Sequence, residues 1–173
     1  MQLTGTVLGE ACSVLPNLLH LDVSNNHNLN TDGVLAMCKH LTQLRSISIL
    51  HGTNVCDYSI RTLAEFCASI LEIVYMDIKR ANCIRTIDRL MYFSDNCHKL
   101  QFLSIHCNKS VLCLAGGTFA LLHNLPMLRR LVVDAEEVIS VTSRQFLRWI
   151  YPQLRIVEDK EGKYTYNALS MPI

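Results

Sequence analysis

Apolar residues in this chain recur at spacings of three, three and two, a pattern that neither a helix nor a strand explains alone. A helical face continues at three and four residues, whereas a strand alternates at two, so the change of spacing needs a structural cause. The stretch LPNLLHLDV at 15–23 has this pattern, and it returns at 41–49, 70–78, 97–105, 125–133 and, more weakly, 151–157. The third apolar position of the six units is occupied by Leu21, Ile47, Met76, Leu103, Leu131 and Val157.

The period of this pattern predicts a repeat architecture. Successive third positions are 26, 29, 27, 28 and 26 residues apart, which lies within the range of repeats built from one strand and one helix or turn. Six such units in 173 residues are enough for one continuous core with an edge at each end. We therefore expect a single domain that spans residues 1–173.

Polar residues after the apolar positions carry a family resemblance. The motif LxxLxLxxN is matched by Leu18, Leu21, Val23 and Asn26, and again by Leu100, Leu103, Ile105 and Asn108. These units resemble leucine-rich repeats over nearly the whole chain. The resemblance implies an α/β fold, namely a curved leucine-rich repeat solenoid (a horseshoe) with a parallel sheet on its concave face and helices on its convex face. We expect irregular turns where other residues replace the motif's Asn or Cys, at Gly52, Ala81 and Glu136.

Two stretches that follow predicted strands narrow the resemblance. The sequences LNTDGVLAMCKHL at 29–41 and NVCDYSIRTLAEFCASI at 54–70 are similar to the cysteine-containing repeats of F-box/LRR proteins. In that subtype an Asp caps a helix that ends on a Cys before the next strand. The resemblance implies that Asp32 and Asp57 are N-caps. It also implies that Cys38 and Cys67 are buried between helix and sheet, with Cys12 in the same place one repeat earlier.

The eight cysteines fit packing better than they fit a chemical site. No two of them form a CxxC pair, and the periodic ones follow the repeat. We therefore expect no metal and no cofactor. Buried free thiols favour a reducing intracellular compartment, the cytoplasm or nucleus, with the mitochondrial matrix as an alternative. Four cysteines fall in or near predicted turns, and these are Cys56, Cys83, Cys107 and Cys113. One pair among them could still approach across neighbouring repeats.

Charge and hydropathy patterning argue against two classes of partner. The chain has 16 Lys and Arg residues against 15 Asp and Glu residues, and it has no basic stripe of the kind that binds nucleic acid. Polar or charged residues interrupt each leucine-rich stretch before it reaches the length of a membrane span. The N-terminal sequence lacks a basic start and is broken by Glu10, so we expect no cleaved signal peptide.

Motifs for catalysis are weak. Gly116 and Gly117 stand at the start of a helix-like segment, but the lysine and glycine spacing of a phosphate-binding loop are missing. The seven histidines are scattered, and none has a carboxylate and a nucleophile at a recognisable spacing. We therefore expect a protein that is not an enzyme.

The repeat pattern predicts where a protein partner would bind. Residues between the apolar positions should point to the exposed concave face. The candidate partner-binding residues there are Asp22, Ser48, Tyr75, Asp77, Lys79, Phe102, Ser104, His106, Arg130 and Asp134. Among them, Tyr75, Phe102 and Arg130 are of the types that dominate binding energy. Two alternatives stay open: the aromatic residues cover local apolar surface and bind nothing, or the convex helix with Arg85 and Arg89 makes the contact.

The end of the chain is expected to form a cap. The alternating pattern around the turn at 160–163 predicts a β-hairpin over residues 155–167, which would shield the edge of the last repeat. Before it, SRQFLRWIYP predicts a helix in which Phe146, Leu147, Trp149 and Ile150 close the core.

Two function classes follow from the resemblance. The first is a non-catalytic interaction module that recognises a protein substrate or partner, similar to the repeat domain of F-box/LRR ubiquitin-ligase adaptors but without an F-box. The alternative is a structural subunit or assembly factor, a scaffold within a larger complex, for which a mitochondrial complex is one option. The sequence names no partner for either class and leaves the oligomeric state open.

Overall fold

The computed structural model describes residues 4–51, 57–77, 88–106, 122–134 and 141–159. Its helices are α1 (Gly5–Ser13), α2 (Thr31–His40), α3 (Asp57–Cys67), α4 (Asp88–Asn96) and α5 (Val141–Ile150). Its strands are β1 (His20–Asp22), β2 (Ser46–Ile49), β3 (Ile73–Asp77), β4 (Phe102–His106), β5 (Arg130–Asp134) and β6 (Arg155–Asp159). Strands therefore recur at intervals close to those that the apolar pattern predicts.

The six strands form one sheet in the order β1-β2-β3-β4-β5-β6, and each pairs in parallel with the next. Parallel neighbours need a crossover connection, and helices α2, α3, α4 and α5 each lie between two consecutive strands in the chain. The expected α/β fold with a parallel sheet is confirmed at this level.

The third strand pairs in a different register from the sequence-based alignment, which was wrong by two residues. Val74, and not Met76, lies between Ile47 and Leu103 in the sheet. Because Ile-Val-Tyr-Met is apolar at every position, the spacing fits either register when only the sequence is considered. The carbonyl of Glu72 accepts hydrogen bonds from the amides of Gln101 and Phe102 at the start of the next strand. These bonds distinguish the observed register from the alternative.

The register of the sixth strand differs from the sequence-based alignment by one residue. Ile156, and not Val157, pairs with Leu131 and packs against the main core. A shift by one residue turns a side chain to the other face of a sheet. Val157 accordingly packs on the opposite face.

The start of α2 depends on a different residue from the one expected. Asn30 is the N-cap of α2, and its side chain accepts a hydrogen bond from the amide of Gly33 at 3.0 Å. Asp32, predicted to be this cap, lies instead in the first turn, where a negative charge is still favourable. The backbone places Asp57 at the first position of α3, while its side chain lies outside the described part of the molecule.

The main core lies between the helices and one face of the sheet. Its strand residues include Ile47, Val74, Leu103 and Leu131, each fully buried. Helix residues such as Met37 close it from the other side. The predicted burial of Leu103 is confirmed.

The C-terminal helix closes the core with fewer residues than expected. Leu147 is buried, whereas Trp149 is 79% exposed. Phe146 and Ile150 are also exposed. The prediction that Trp149 belongs to the core was wrong, because the rotation that turns Leu147 inward directs the other three side chains elsewhere.

Several sequence-based predictions lie outside the described residues. These are the turns at Gly52, Ala81 and Glu136, the glycine pair 116–117, the second strand of the hairpin, and the side chains of Arg85 and Arg89. Residues 155–159, predicted to begin that hairpin, form β6, which pairs in parallel with β5. Within the described helices, none has the length and apolar character needed to cross a bilayer.

Candidate functional site

The sheet face that points away from the main core carries eight of the ten residues that the sequence analysis predicts for partner binding, and these are Asp22, Ser48, Tyr75, Asp77, Phe102, Ser104, His106 and Arg130. We call this sheet face the second face. Its residues on the described strands and their immediate extensions are His20, Asp22, Ser24, Ser46, Ser48, Leu50, Ile73, Tyr75, Asp77, Phe102, Ser104, His106, Arg130, Val132, Arg155 and Val157. Their alternation with the core residues follows from the two-residue period of a strand.

The middle of the second face is apolar and buried. We call this group the second-face cluster, and it consists of Leu50, Tyr75, Phe102 and Val132. Ile73 and Val157 pack against it. Tyr75 and Phe102 are 4% and 6% exposed, and their ring centroids are 4.7 Å apart at an interplanar angle of 37°. This separation is typical of an attractive aromatic pair.

The expectation that Tyr75 and Phe102 are exposed was wrong. Adjacent parallel strands are about 4.8 Å apart, so large side chains on neighbouring strands fill the space between them. Small hydroxyl residues beside the rings are covered as well, since Ser48 and Ser104 are each 0% exposed. Whether this face binds a partner stays a prediction.

The first strands give the second face a polar and open end. His20 and Asp22 are exposed. The Asp22 carboxylate accepts a hydrogen bond from the amide of Ser24 at 2.8 Å, and the hydroxyls of Ser24 and Ser48 are 2.7 Å apart. The amide of Leu50 donates to the Ser24 hydroxyl at 3.1 Å. These bonds hold the polar end in a defined conformation beside the apolar cluster.

A polar rim lies at the carboxyl ends of β2, β3 and β4, and it consists of His51, Asp77 and His106. His51 Nδ1 and Asp77 Oδ2 are 3.3 Å apart, with the His51 side chain 60% exposed and that of Asp77 12% exposed. Asp77 also pairs in the sheet with His106. His106 Nε2 and the Ser104 hydroxyl are 3.3 Å apart. Charged and polar groups therefore border the second-face cluster at this end.

The rim residues and the neighbouring Ser104 are of the types that form a hydrolase triad. A nucleophile must reach the substrate, and Ser104 is fully buried. The partly exposed His51 and Asp77 side chains are able to make hydrogen bonds with groups of another molecule. Across the described segments, no cluster of three or more His, Cys, Asp or Glu residues is arranged to hold a metal ion.

The ten predicted partner-binding residues fall into four groups. Asp22 is exposed, while Asp77, His106 and Arg130 are half-buried. The buried group consists of Ser48, Tyr75, Phe102 and Ser104. Asp134 ends β5, and nothing is described of its side chain; Lys79 lies outside the described residues.

The sequence-based alignment missed His51 as a member of the site. His51 lies one residue beyond Leu50, in a left-handed conformation with φ 58°. The two-residue error in the third strand aligned Asp77 with Ser48, so its proximity to His51 was hidden. Only the correct register of β3 would have shown that Asp77 and His51 are neighbours.

A second set of candidate residues, the cysteines, is buried in the main core. Cys12, Cys38, Cys67 and Cys97 are free thiols, each no more than 3% exposed. A hydrogen bond with Cys67 and burial together raise the pKa of Cys38. Burial raises the pKa of Cys97 to about 12. These two thiols are therefore protonated at neutral pH, as expected of packing residues.

Comparisons with known proteins address the fold alone. Neither a protein-family model nor a curated protein sequence matches this chain. Among solved structures, it is similar to the Leiomodin-1 Actin-Binding Site 2, with a TM-score of 0.61 and 11% sequence identity over 84% of this chain and 86% of that chain. At this identity the likeness concerns the arrangement of helices and strands.

Proposed function

We propose that the chain is a non-catalytic, leucine-rich-repeat interaction module that binds a protein partner through the second face of its sheet. The observation that carries this proposal is one juxtaposition. A packed aromatic pair, Tyr75 and Phe102, is bordered on the same face by partly exposed charged side chains. Arg130 lies directly beside Phe102 on the neighbouring strand, and Asp77 continues the strand of Tyr75.

The division of roles within this face differs from the one expected from sequence. The buried rings support the surface and hold the strands in place, whereas the polar rim, Asp22 and Arg130 make the contacts. Interfaces combine tightly packed centres with hydrogen-bonding polar groups around them. Arg is also enriched among the residues that dominate binding energy. The partner in this proposal presents charged and hydrogen-bonding groups to the rim.

The proposal that the chain is a repeat protein is supported by the regular spacing of its strands. Strands begin at residues 20, 46, 73, 102, 130 and 155 and pair in sequence order. Asn26, at the motif position, is buried, and its side chain accepts a hydrogen bond from the amide of Asn28. A curved solenoid that exposes a parallel sheet along one side suits a module that binds other proteins.

The proposal includes two cellular roles. In the first, the module selects substrates as F-box/LRR adaptors do. In the second, it is a structural subunit or assembly factor of a larger complex. The buried free thiols of Cys38 and Cys67 support a reducing compartment, the cytoplasm or nucleus, or alternatively the mitochondrial matrix.

The test begins with affinity purification and mass spectrometry using the unmodified chain and two charge variants. Arg130→Glu reverses a charge on the second face, and Lys39→Glu reverses one on the exposed surface of α2. A protein that uses the second face is recovered with the unmodified chain and with Lys39→Glu but is depleted with Arg130→Glu. With purified partner, calorimetry should show that Arg130→Glu weakens binding by about 1–3 kcal/mol.

Two outcomes distinguish the adaptor role from the structural role. Copurification of ubiquitin-ligase subunits in substoichiometric amounts supports the adaptor role, whereas stoichiometric recovery of one salt-stable complex supports the structural role. Equal losses with Lys39→Glu and Arg130→Glu would contradict the assignment of the second face. Actin is tested directly by co-sedimentation, because the similar solved structure is named as an actin-binding site.

A further inference from the structure

Three arginines lie together where the last two strands begin. Arg129 immediately precedes Arg130, the first residue of β5, and Arg130 is the register partner of Arg155, the first residue of β6. The amide of Arg155 donates to the carbonyl of Arg129 at 2.8 Å, so the backbones are in contact. Arg129 and Arg155 are exposed, and Arg130 is half-buried. We call these three residues the arginine cluster.

The arginine cluster has no acidic partner within the described part of the chain. Other arginines do have one, since Arg45 pairs with Glu72 at 3.7 Å. Arg61 likewise pairs with Glu65 at 2.8 Å. Like charges at neighbouring positions across two strands repel each other. The cluster is therefore a concentration of unneutralised positive charge, and an anionic group of another molecule would relieve the repulsion within it.

The arginine cluster continues the apolar middle of the second face. One row across this face consists of four register partners, Ile73, Phe102, Arg130 and Arg155. A ligand on this row meets apolar side chains over β3 and β4 and two guanidinium groups over β5 and β6. Neighbouring strands are about 4.8 Å apart, and alternate residues of an extended segment are about 6.6 Å apart. Flexible side chains at alternate positions of such a segment are therefore able to reach both arginines.

Carboxylates elsewhere on the second face narrow the class of ligand. Asp22 is exposed on β1, and Asp77 ends β3. These two groups would repel a uniformly anionic polymer, such as a nucleic acid strand, while the arginine cluster attracted it. A protein segment that is acidic only over the cluster avoids this conflict. Because a guanidinium fork matches one carboxylate through two parallel hydrogen bonds, two arginines on separate strands suit two separate carboxylates.

We propose, on the basis of the function proposed above, that the arginine cluster binds an acidic segment of the protein partner. The segment is extended, and its Asp or Glu side chains at alternate positions each meet one guanidinium group, of Arg130 and of Arg155. Arg129 adds positive potential beside them. Arg130 is half-buried next to Phe102, where partial exclusion of water strengthens its attraction for a carboxylate.

Fluorescence anisotropy with labelled synthetic peptides tests this assignment without the natural partner. The acidic probe is Gly-Glu-Ser-Glu-Ser-Glu-Gly, the neutral probe has Gln in place of each Glu, and the phosphorylated probe has phosphoserine there. The unmodified chain should bind the acidic probe about tenfold or more tightly than the neutral probe. Added salt should weaken this binding, because it screens the charges of exposed groups.

Variants of the arginine cluster identify which groups bind the probe. Combined Arg130→Gln and Arg155→Gln should weaken binding of the acidic probe by about tenfold or more. The Lys variants at the same two positions keep the charge but lose the guanidinium fork, so they should also bind more weakly than the unmodified chain. Arg148→Gln is the matched control, since Arg148 is exposed on α5 on the helix side of the sheet, and it should leave binding unchanged.

The contrary outcomes separate this assignment from the proposed function. Circular dichroism melting establishes that each variant is folded, and Arg155→Gln alone, at an exposed position, provides the test if the double variant is not. Undiminished binding of the acidic probe by a folded cluster variant overturns the assignment. A clear preference for the phosphorylated probe overturns the choice of carboxylates. If no probe binds but Arg130→Glu still depletes a copurified protein, the assignment fails and the proposed function stands. If no probe binds and no protein is depleted, both fail.

Discussion

The two faces of the sheet reach burial by different means. On the helix side, apolar residues recur in the strands of every repeat and meet helices with matching apolar positions. On the second face, polar residues of β1 give way to the aromatic pair of β3 and β4 and then to Val132 of β5. Burial on the helix side recurs with each repeat, whereas burial on the second face depends on which side chains the neighbouring strands bring together. This difference means that substitutions on the two faces should have different consequences.

The largest effect is expected on the helix side. Leu103→Ala should lower the free energy of unfolding by about 2–5 kcal/mol, because Leu103 is fully buried in a central strand and the truncation leaves a cavity. Urea denaturation measures the change. Leu103→Met, which nearly conserves volume, should cost less than about 1.5 kcal/mol. A loss below 1 kcal/mol for the alanine variant would mean that the central core is not packed as described.

The cysteines of the helix side add a dependence on pH. Burial raises the pKa of Cys97 from its ordinary value of 9.0 to about 12 in the folded chain. Its contribution is complete below pH 9 and is lost as the pH rises towards 12, because the unfolded thiol ionises first. The free energy of unfolding should fall by up to about 1.4 kcal/mol per pH unit from this group. Other ionisable groups titrate in the same range, so the test is the difference from Cys97→Ala, whose decline should be shallower.

The second face should show coupling between its rings. Tyr75→Ala and Phe102→Ala should each destabilise the fold, since both side chains are buried. A double-mutant cycle should give a coupling energy of about 0.5–1.5 kcal/mol for the 4.7 Å contact. The pair Tyr75→Ala and Leu103→Ala serves as a comparison across the sheet. Strict additivity of the aromatic pair would argue that the rings do not touch.

The smallest effect is expected at the polar rim. His51→Ala should lower the free energy of unfolding by less than about 1 kcal/mol, because the His51 side chain is 60% exposed and solvent weakens its contact with Asp77. Binding of the proposed partner should fall more than stability does. A stability loss of several kcal/mol would instead assign the rim to structural support.

The apolar pattern was sufficient for the parts of the fold that each repeat specifies locally. It predicted six repeats with Leu103 in their common core, while the family resemblance implied the parallel sheet and the burial of Cys38 and Cys67. Leu103 is buried because its strand has a helix on one side and like strands beside it, and the two cysteines are buried because they lie on the helices that cover the sheet. Six copies of a weak local signal were enough to identify that arrangement.

The candidate site was less predictable because it combines residues from different repeats. An error of two residues in one strand separated Asp77 from His51 and hid the position of Tyr75, which pairs with Ser48 and Ser104 in the sheet. Trp149 was misassigned for a related reason, since an amphipathic segment contains several apolar residues and only packing selects the one that faces inward.

By itself, the sequence determined the period of the repeats, the alternation of strand and helix, and the recurring apolar positions, because these depend on residues within one repeat. Only the tertiary structure decided the register of β3, the contact between Tyr75 and Phe102, and the exposure of Trp149. In β3 four consecutive apolar residues satisfy hydrophobic burial in either register. Backbone hydrogen bonds between repeats distinguish the two, and those bonds join residues that lie about one repeat apart in the chain.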